Sequence, residues 1–502
     1  MVKSLICSGS TPLTTKYYLK LINMKIFRFF LSSLLLSIAL TVSAGSDTTK
    51  VVVLSVNDMH AKIDNFPKFK SLVDSIRSVH EHVLLFAAGD NFTGNPIVDQ
   101  FPEPGYPIIE LMNLTGFNAS ALGNHEFDYG QDVLAKRLAQ ANFPFLAANI
   151  IYESITPLDI KPFLVLQMEN GLKIGILGLI QINEAGLPDT HPAKLTGIKF
   201  DKGIDIAPNY KWLADSSDVL IGLSHLGFED DVLLAEQMKE FDLILGGHTH
   251  TMVSNPQEYN NVLVMQAGSN LKYVSMTTLN LVENKVVDKH AQLLNISNHR
   301  GSDSALEALI AGFNDNKELN QVIGTAVHPL NGKDELGSLM TDAMTAILPL
   351  EIAFQNNGGI RVDMIPQGNI TIKDVYQLDP FGNEIIHFKL SVTEIKSLIS
   401  NAFNRGKEID LQVSGINYTV IQDKDGLASD IIITLPDGSS PDKNRIFNTG
   451  LSSYLASSYD FDHKDTGHSL YTITAQALIN FIKANQEINY QGVKRTFVKT
   501  AE

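Results

Sequence analysis

Val51-Val52-Val53-Leu54-Ser55-Val56-Asn57-Asp58-Met59-His60 is the stretch on which the fold turns. Its first six residues are nearly all apolar, with no polar alternation. That is what a strand buried on both faces requires. The run then stops and hands the chain to Asn, Asp and His. The same event recurs four times downstream. Val83–Ala88 runs into Gly89-Asp90-Asn91, and Ala119–Leu122 into Gly123-Asn124-His125-Glu126-Phe127-Asp128. Val219–Leu223 runs into Ser224-His225, and Leu243–Leu245 into Gly246-Gly247-His248-Thr249-His250. Between the strands, Phe66, Phe69, Leu72, Val73, Ile76 and Val79 fall at helical spacing, and Val133–Leu138 and Val232–Met238 also read as helices. Strand–helix alternation from Lys50 to about Leu281 implies a layered α/β domain.

In an open α/β sheet, ligands bind outside the carboxyl ends of the strands. Five such ends can bring Asp58, His60, Asp90, Asn124, His225, His248 and His250 to one place. Gly and Ser neighbours allow the tight turns that aim these side chains inward. A lone strand-end His is more often structural, and Asp-x-His alone is as easily a turn. Five clusters in order, each after a strand, point to a metal centre. Nitrogen and oxygen donors without thiolate suit Zn, Mn or similar divalent ions. Seven ligands are too many for one tetrahedral ion and suit two. Asp90, alone on its strand end, is the expected bridge. Two ions about 3.5–4 Å apart clamp the entering and leaving oxygens of an in-line displacement, which is the chemistry of phosphate-ester hydrolysis. His125 stands three residues before Asp128, beside Asn124. This pairing predicts that His125 is the acid or transition-state donor and Asp128 its orienting carboxylate; the alternative is that His125 is one more ligand.

The chain has 502 residues, 39 Lys+Arg, 55 Asp+Glu and a net charge of −16. Its composition is that of a globular protein and excludes a disordered or collagen-like chain. The length allows roughly two to four domains. The acidity argues against binding a nucleic acid polymer. It leaves room for a small anionic ligand, because local cations override net charge.

Residues 1–44 contain no Asp or Glu and five basic residues, Lys3, Lys16, Lys20, Lys25 and Arg28. Phe29 to Val42 is apolar apart from Ser and Thr, and Val42-Ser43-Ala44-Gly45 follows. A basic stretch, a short apolar core and a small-x-small end predict a signal peptide over 1–44. The core is shorter than the about 20 residues of a transmembrane span, so no stable membrane anchor is expected; the alternative is an uncleaved one. Met24-Lys25 opens a well-proportioned signal, so residues 1–23 read as a mis-called extension. Without those five cations the mature charge becomes −21. Cys7, the only cysteine, precedes the apolar core, so the mature chain has neither disulfide nor thiol nucleophile. The product is expected outside the cytoplasm, periplasmic or extracellular.

The expected organisation is a metal domain over 45–295, a linker over 296–323 and a second domain over 324–502. Asn295–Ser304 is polar and patternless, with a helix expected from Ala305 to Asn314. Beyond about Gly324 a helix at Leu336–Leu348 and strands at Leu411–Ile421 and Ile431–Leu435 indicate a mixed α+β unit. Pro436-Asp437-Gly438 reads as a turn.

Asp-x-His, Gly-Asp, Gly-Asn-His-Glu-x-x-Asp, Ser-His and Gly-His-x-His, in this order, resemble a calcineurin-like metallophosphoesterase domain. The second half is similar to the C-terminal domain of exported 5′-nucleotidases, and the resemblance covers about residues 50–500. It implies a four-layer α/β/β/α metal domain joined to a substrate domain that rotates against it. It implies one ion on Asp58, His60, Asp90 and His250, a second on Asp90, Asn124, His225 and His248, and His125 with Asp128 as the catalytic pair. Asn356-Asn357-Gly358-Gly359-Ile360-Arg361 matches the family's Asn-Gly-Gly-Gly-Ile-Arg segment, with Asn357 in place of a Gly. Pro380-Phe381-Gly382-Asn383 matches the segment giving one stacking ring and an Asn. Tyr454-Leu455-Ala456-Ser457-Ser458-Tyr459-Asp460 aligns with Phe-Leu-Ala-Asn-Gly-Gly-Asp, so Tyr454 replaces the second ring and Asp460 is kept. The substrate set implied by the resemblance is Asn356, Gly358, Arg361, Phe381, Asn383, Tyr454 and Asp460. Two departures stand out: Ser457-Ser458-Tyr459 replaces Asn-Gly-Gly, and the family's upstream Arg is missing, Lys333 being the nearest base. The expected activity is release of phosphate from nucleoside 5′-phosphates. The rivals are nucleotide-sugar or dinucleotide pyrophosphatase, 2′,3′-cyclic phosphodiesterase with 3′-nucleotidase, a sulfur-ester hydrolase, and a non-enzymatic nucleotide-binding protein.

Overall fold

Alternate residues of the first strand enter two different cores. Val51 and Val53 face one, and Val52, Leu54 and Val56 face the other. A strand apolar on both sides is therefore sandwiched between layers. A computed structural model describes residues 48–500 other than Ser154. The signal-peptide reading and Cys7 lie outside the described residues.

The first sheet has seven strands, in the order Lys285–Asn295, Tyr273–Val282, Thr48–Val56, His82–Ala87, Ala119–Ala121, Phe145–Leu146, Ile160–Lys161. From Thr48–Val56 to Ile160–Lys161 the neighbours are parallel; the first two strands add an antiparallel hairpin. The second sheet has six strands: Gln257–Tyr259, Val262–Met265, Leu243–Leu245, Val219–His225, Lys173–Ile180, Phe163–Gln167. Its four central strands are parallel. Val51, Val53, Phe86 and Leu146 of the first sheet share one core with Ile174, Ile176, Ile221, Leu223 and Leu245 of the second. Helices cover the outer faces. Phe66–Arg77 packs its Phe66, Phe69 and Val73 on the first sheet, and Phe228–Gln237 packs Leu234 and Ala235 on the second. The architecture is α/β/β/α, as the resemblance implies.

The linker is more ordered than its polarity suggests. Asp303 accepts from the backbone N–H groups of Ala305 and Leu306 and so caps a helix, Ser304–Asn314. That helix lies on Phe66–Arg77, where Lys70 bridges to Asp303 at 3.3 Å.

The second half centres on a five-stranded sheet: Leu411–Ser414, Ile352–Asn356, Ile446–Ser452, Glu384–Ser391, His468–Ile473. Val392–Gly406 packs on one face, and Gly332–Ile347 and Thr474–Asn485 on the other. The strand expected over Leu411–Ile421 is two strands, Leu411–Ser414 and Asn417–Gln422. Gly415 breaks it, with φ +84° and the Glu351 carbonyl where a Cβ would stand. Among the described residues no helix is long and apolar enough to cross a membrane.

Candidate active site

The parallel registers bring the strand ends level. Val56 pairs with Ala87, Phe86 with Ala119, and Leu223 with Leu245. Backbone bonds then lock the loops that follow: Asp58 N–H to Gly89 O at 3.0 Å, and His60 N–H to Asp90 O at 3.0 Å. Asp58, His60, Asp90, His248 and His250 all have positive φ, between 46° and 76°. Non-glycine residues adopt that region at a cost, and it concentrates at functional sites. The neighbouring glycines make room. A Cβ on Gly123 would meet Asp90 Oδ1, and one on Gly247 the Ala88 carbonyl.

All seven candidate ligands converge. Asp58, His60 and His250 form one group whose donor atoms lie within 4.8 Å of one another; Asp90, His225 and His248 form another. His250 Nε2 is 3.0 Å from His60 Nε2 and 3.3 Å from Asp58 Oδ1. His225 Nε2 is 3.2 Å from Asp90 Oδ2 and 3.3 Å from Asn124 Oδ1. His248 Nδ1 is 3.2 Å from the same Asn124 oxygen. Asp90 also groups with His60 and His125, so its carboxylate belongs to both halves of the cluster.

The imidazoles are prepared as ligands. His225 Nδ1 faces the Ala88 carbonyl at 2.6 Å, and His60 Nδ1 the Thr93 carbonyl at 3.1 Å. A carbonyl only accepts, so each Nδ1 carries a proton, and Nε2 is the nitrogen left to serve as a ligand. Burial, reinforced by Arg361, holds His60 well below the usual imidazole pKa; burial and His225 lower His248. Burial opposes charge on His225, yet the Asp90 carboxylate raises it to about 10. Despite its burial, Asp90 is held well below the usual carboxylate range by His225 and His125. A buried anion surrounded by inward lone pairs is a donor set that a divalent cation completes, displacing the His225 proton.

His125 Nδ1 lies 2.6 Å from Asp128 Oδ2, and its Nε2 is 3.9 Å from Asp90 Oδ2. Burial opposes protonation, but Asp128 and Asp90 outweigh it and raise the His125 pKa. Phe381 stacks on this imidazole at 5.8 Å and 19°. Arg361 Nη2 is 3.4 Å from both His60 nitrogens, and its guanidinium is 5.5 Å from the Phe381 ring centroid. The second half thus reaches into the metal cluster. Between the two halves is a cavity of about 560 Å³, lined by His125 and Asp128 on one side and by Asn356, Gly358, Arg361, Phe381, Asn383 and Tyr454 on the other. Asp460 does not join them. It is exposed, and its carbonyl accepts from Asn401 Nδ2 at 3.0 Å. Lys333 donates to the Ile360 carbonyl and is absent from the lining, so it does not replace the missing Arg.

Several supporting residues were given no role by the sequence, although one of them, Glu126, lies inside the Gly-Asn-His-Glu-x-x-Asp motif. Buried Glu126 accepts from the N–H groups of Asp90, Asn91 and Gly123 at 3.0, 2.6 and 2.7 Å, tying two strand ends together. Burial raises its pKa to about 7, the Asp90 charge adding to the effect. The 181–191 loop braces the other side. Asn124 Nδ2 donates to the Asp189 carbonyl at 2.9 Å, and His248 Nε2 is 3.7 Å from Asp189 Oδ2. Thr190 Oγ1 donates to Asp128 Oδ1 at 2.7 Å. Asp189 is fixed in turn by Gln181 and Asn183. Arg405, from the helix Val392–Gly406, also lines the cavity.

Residues 51–252 match the family model for calcineurin-like phosphoesterases, and residues 320–461 that for the 5′-nucleotidase C-terminal domain. The chain is 29% identical over 429 residues to a trifunctional nucleotide phosphoesterase protein of Bacillus subtilis (strain 168). That match takes 74% of this chain and spans 29% of the Bacillus protein. It is 27% identical over 528 residues to a 5′-nucleotidase of Vibrio vulnificus (strain CMCP6), covering 89% of this chain and 92% of that one. A 5′-nucleotidase precursor from Thermus thermophilus has the same fold, with a TM-score of 0.79, 24% identity, and coverage of 89% of this chain and 99% of the other. The chain therefore joins a calcineurin-like phosphoesterase domain, residues 51–252, to a 5′-nucleotidase C-terminal domain, residues 320–461.

Proposed function

We propose that this protein is an exported phosphomonoesterase that holds two divalent ions and removes the 5′-phosphate from nucleotides, giving nucleoside and inorganic phosphate. The observation that carries the reading is the central position of Asp90, whose carboxylate groups with His225 and His248 on one side and with His60 and His125 on the other. In this reading Asp58, His60, Asp90 and His250 hold one ion, and Asp90, Asn124, His225 and His248 the other. Bound there, the ions supply the positive charge that clamps the entering and leaving oxygens of an in-line displacement.

The chain's own groups do the rest. Asp128 keeps the proton of His125 on Nδ1 when the ring is neutral, and Nε2 faces the reaction. As the water oxygen bonds to phosphorus and the P–O5′ bond breaks, protonated His125 delivers its Nε2 proton to O5′, and the proton that the attacking water gives up restores the imidazolium. Arg361 pairs with a phosphoryl oxygen. The Phe381 and Tyr454 rings stack the base, and Asn356, Gly358 and Asn383 line the sugar and base region. Export rests on the basic–apolar–small pattern ending at Ala44.

The test is a substrate panel on EDTA-stripped protein reloaded with Zn, Mn, Co or Mg. AMP or another nucleoside 5′-phosphate should release phosphate in a metal-dependent way. Turnover confined to UDP-glucose, 3′-AMP or 2′,3′-cyclic nucleotides would replace this reading with a rival on the same scaffold.

A further inference from the structure

Asn383 and Arg405 bring hydrogen-bond donors to the second-half wall of the cavity. Asn383 Oδ1 is already occupied, accepting from the Tyr454 backbone N–H at 3.2 Å and from Ser453 Oγ at 3.1 Å. What remains of that amide is its NH2 group, which only donates. Arg405 is the second polar group there. Its guanidinium lies 4.4 Å from the Tyr459 ring centroid, and among the described residues it has no carboxylate within ion-pair distance. Tyr459 is itself fixed, its hydroxyl donating to Asp410 Oδ2 at 2.5 Å, and it packs edge-on against Tyr454 at 6.3 Å. A guanidinium laid on an anchored ring is held in place with all its N–H groups free to donate. Tyr459 stands where the family pattern has Gly, so this perch belongs to the chain's own departure from that pattern.

Arg405 and Asn383 line the same cavity as Tyr454, so a nucleotide with its base against Tyr454 has these two donors at hand. Two donors select an edge made of acceptors. The O6 and N7 atoms of guanine or hypoxanthine offer two acceptors to an Arg fork, whereas adenine places an N6 amino donor beside N7. Glu384, also in the lining, accepts from Ser469 Oγ at 2.6 Å. We infer that Arg405 is a specificity-determining residue that makes the cavity prefer 6-oxopurine nucleotides, IMP and GMP, over AMP. This inference rests on the nucleotidase reading above.

The test compares kcat/KM for IMP, GMP and AMP in the metal-loaded wild-type protein, Arg405→Ala and Arg405→Lys, together with equilibrium binding of inosine and adenosine. The wild type should favour IMP and GMP by about 10-fold or more, the scale of one bidentate Arg–base contact. Arg405→Ala should remove most of that preference by lowering IMP and GMP while AMP changes by less than about 3-fold. Arg405→Lys, which loses the fork but keeps the charge, should behave like Arg405→Ala. Wild-type AMP turnover equal to or faster than IMP, or a uniform loss on all three in Arg405→Ala, overturns the inference and leaves the nucleotidase reading standing. If no nucleotide is hydrolysed, the nucleotidase reading falls, and the inference stands only if inosine still binds more tightly than adenosine and Arg405→Ala abolishes the difference.

Discussion

The backbone N–H of His125 donates to Asp90 Oδ1 at 2.9 Å. One hydrogen bond thus joins the proposed acid to the carboxylate that groups with His225 and His248 and, separately, with His60. The other Asp90 oxygen, Oδ2, faces His225 at 3.2 Å. Proton donor and metal cluster are therefore positioned by the same side chain.

Because that bond comes from the His125 backbone, the His125 side chain is separable from metal binding. His125→Ala should lower kcat by about 10²–10⁴-fold while metal content, read by mass spectrometry on the dialysed protein, stays at the wild-type value. Parallel loss of metal and activity would make His125 a ligand.

Asp189 braces the second ligand group from outside: its backbone carbonyl accepts from Asn124 and would survive substitution, while its carboxylate faces His248 Nε2 at 3.7 Å and would be lost. Asp189→Ala should weaken metal affinity by about 10–100-fold, the usual effect of removing a partner behind a ligand, measured by competition with a chromophoric chelator. Unchanged affinity would confine the 181–191 loop to holding Asp128 through Thr190.

The aromatic rings are assigned to the nucleoside and not to the chemistry. Tyr454→Ala should lower kcat/KM for nucleoside monophosphates by about 5–100-fold, the worth of one stacked base, and leave hydrolysis of a small aryl phosphate nearly unchanged. Equal loss on both substrates would give Tyr454 a structural role instead.

Asp379 is buried just before Phe381, and burial pushes its carboxyl up to about 6. The folded state therefore holds its proton more tightly than the unfolded chain, whose carboxyl titrates near 3.8. Its contribution to stability is full below pH 3.8 and is lost as pH rises through about 6, a change on the order of 3 kcal/mol. Asp379→Asn has no such titration. The melting temperature of Asp379→Asn relative to wild type should climb between about pH 4 and 7; a constant difference would rule out the neutral buried acid.

Val51–Val56 and its four counterparts made the first domain legible, because a strand buried on both faces must be continuously apolar and must end where the backbone meets solvent and ligand. The converging Asp and His residues followed from those ends. Asp189 and Thr190 were not legible, and Glu126 was visible only as a member of the Gly-Asn-His-Glu-x-x-Asp motif, its role unread. Each acts through a fold-dependent contact with a residue or loop whose position the sequence does not announce, and an Asp or Thr in a loop has no local pattern. Asp460 shows the converse. It aligns with a binding residue, but Tyr459 beside it anchors to Asp410, and the Asp460 side chain remains at the surface outside the cavity. Arg405 was missed because it enters the cavity from a helix whose apolar face reads as ordinary core.

The central claim is that Asp90 bridges two cations. Anomalous diffraction from crystals of the Mn- or Zn-loaded protein tests it directly. Two peaks about 3.5–4 Å apart, one beside Asp58, His60 and His250 and the other beside Asn124, His225 and His248, with Asp90 between them, are the predicted result. A single peak, or two peaks with Asp90 touching only one, would contradict the account.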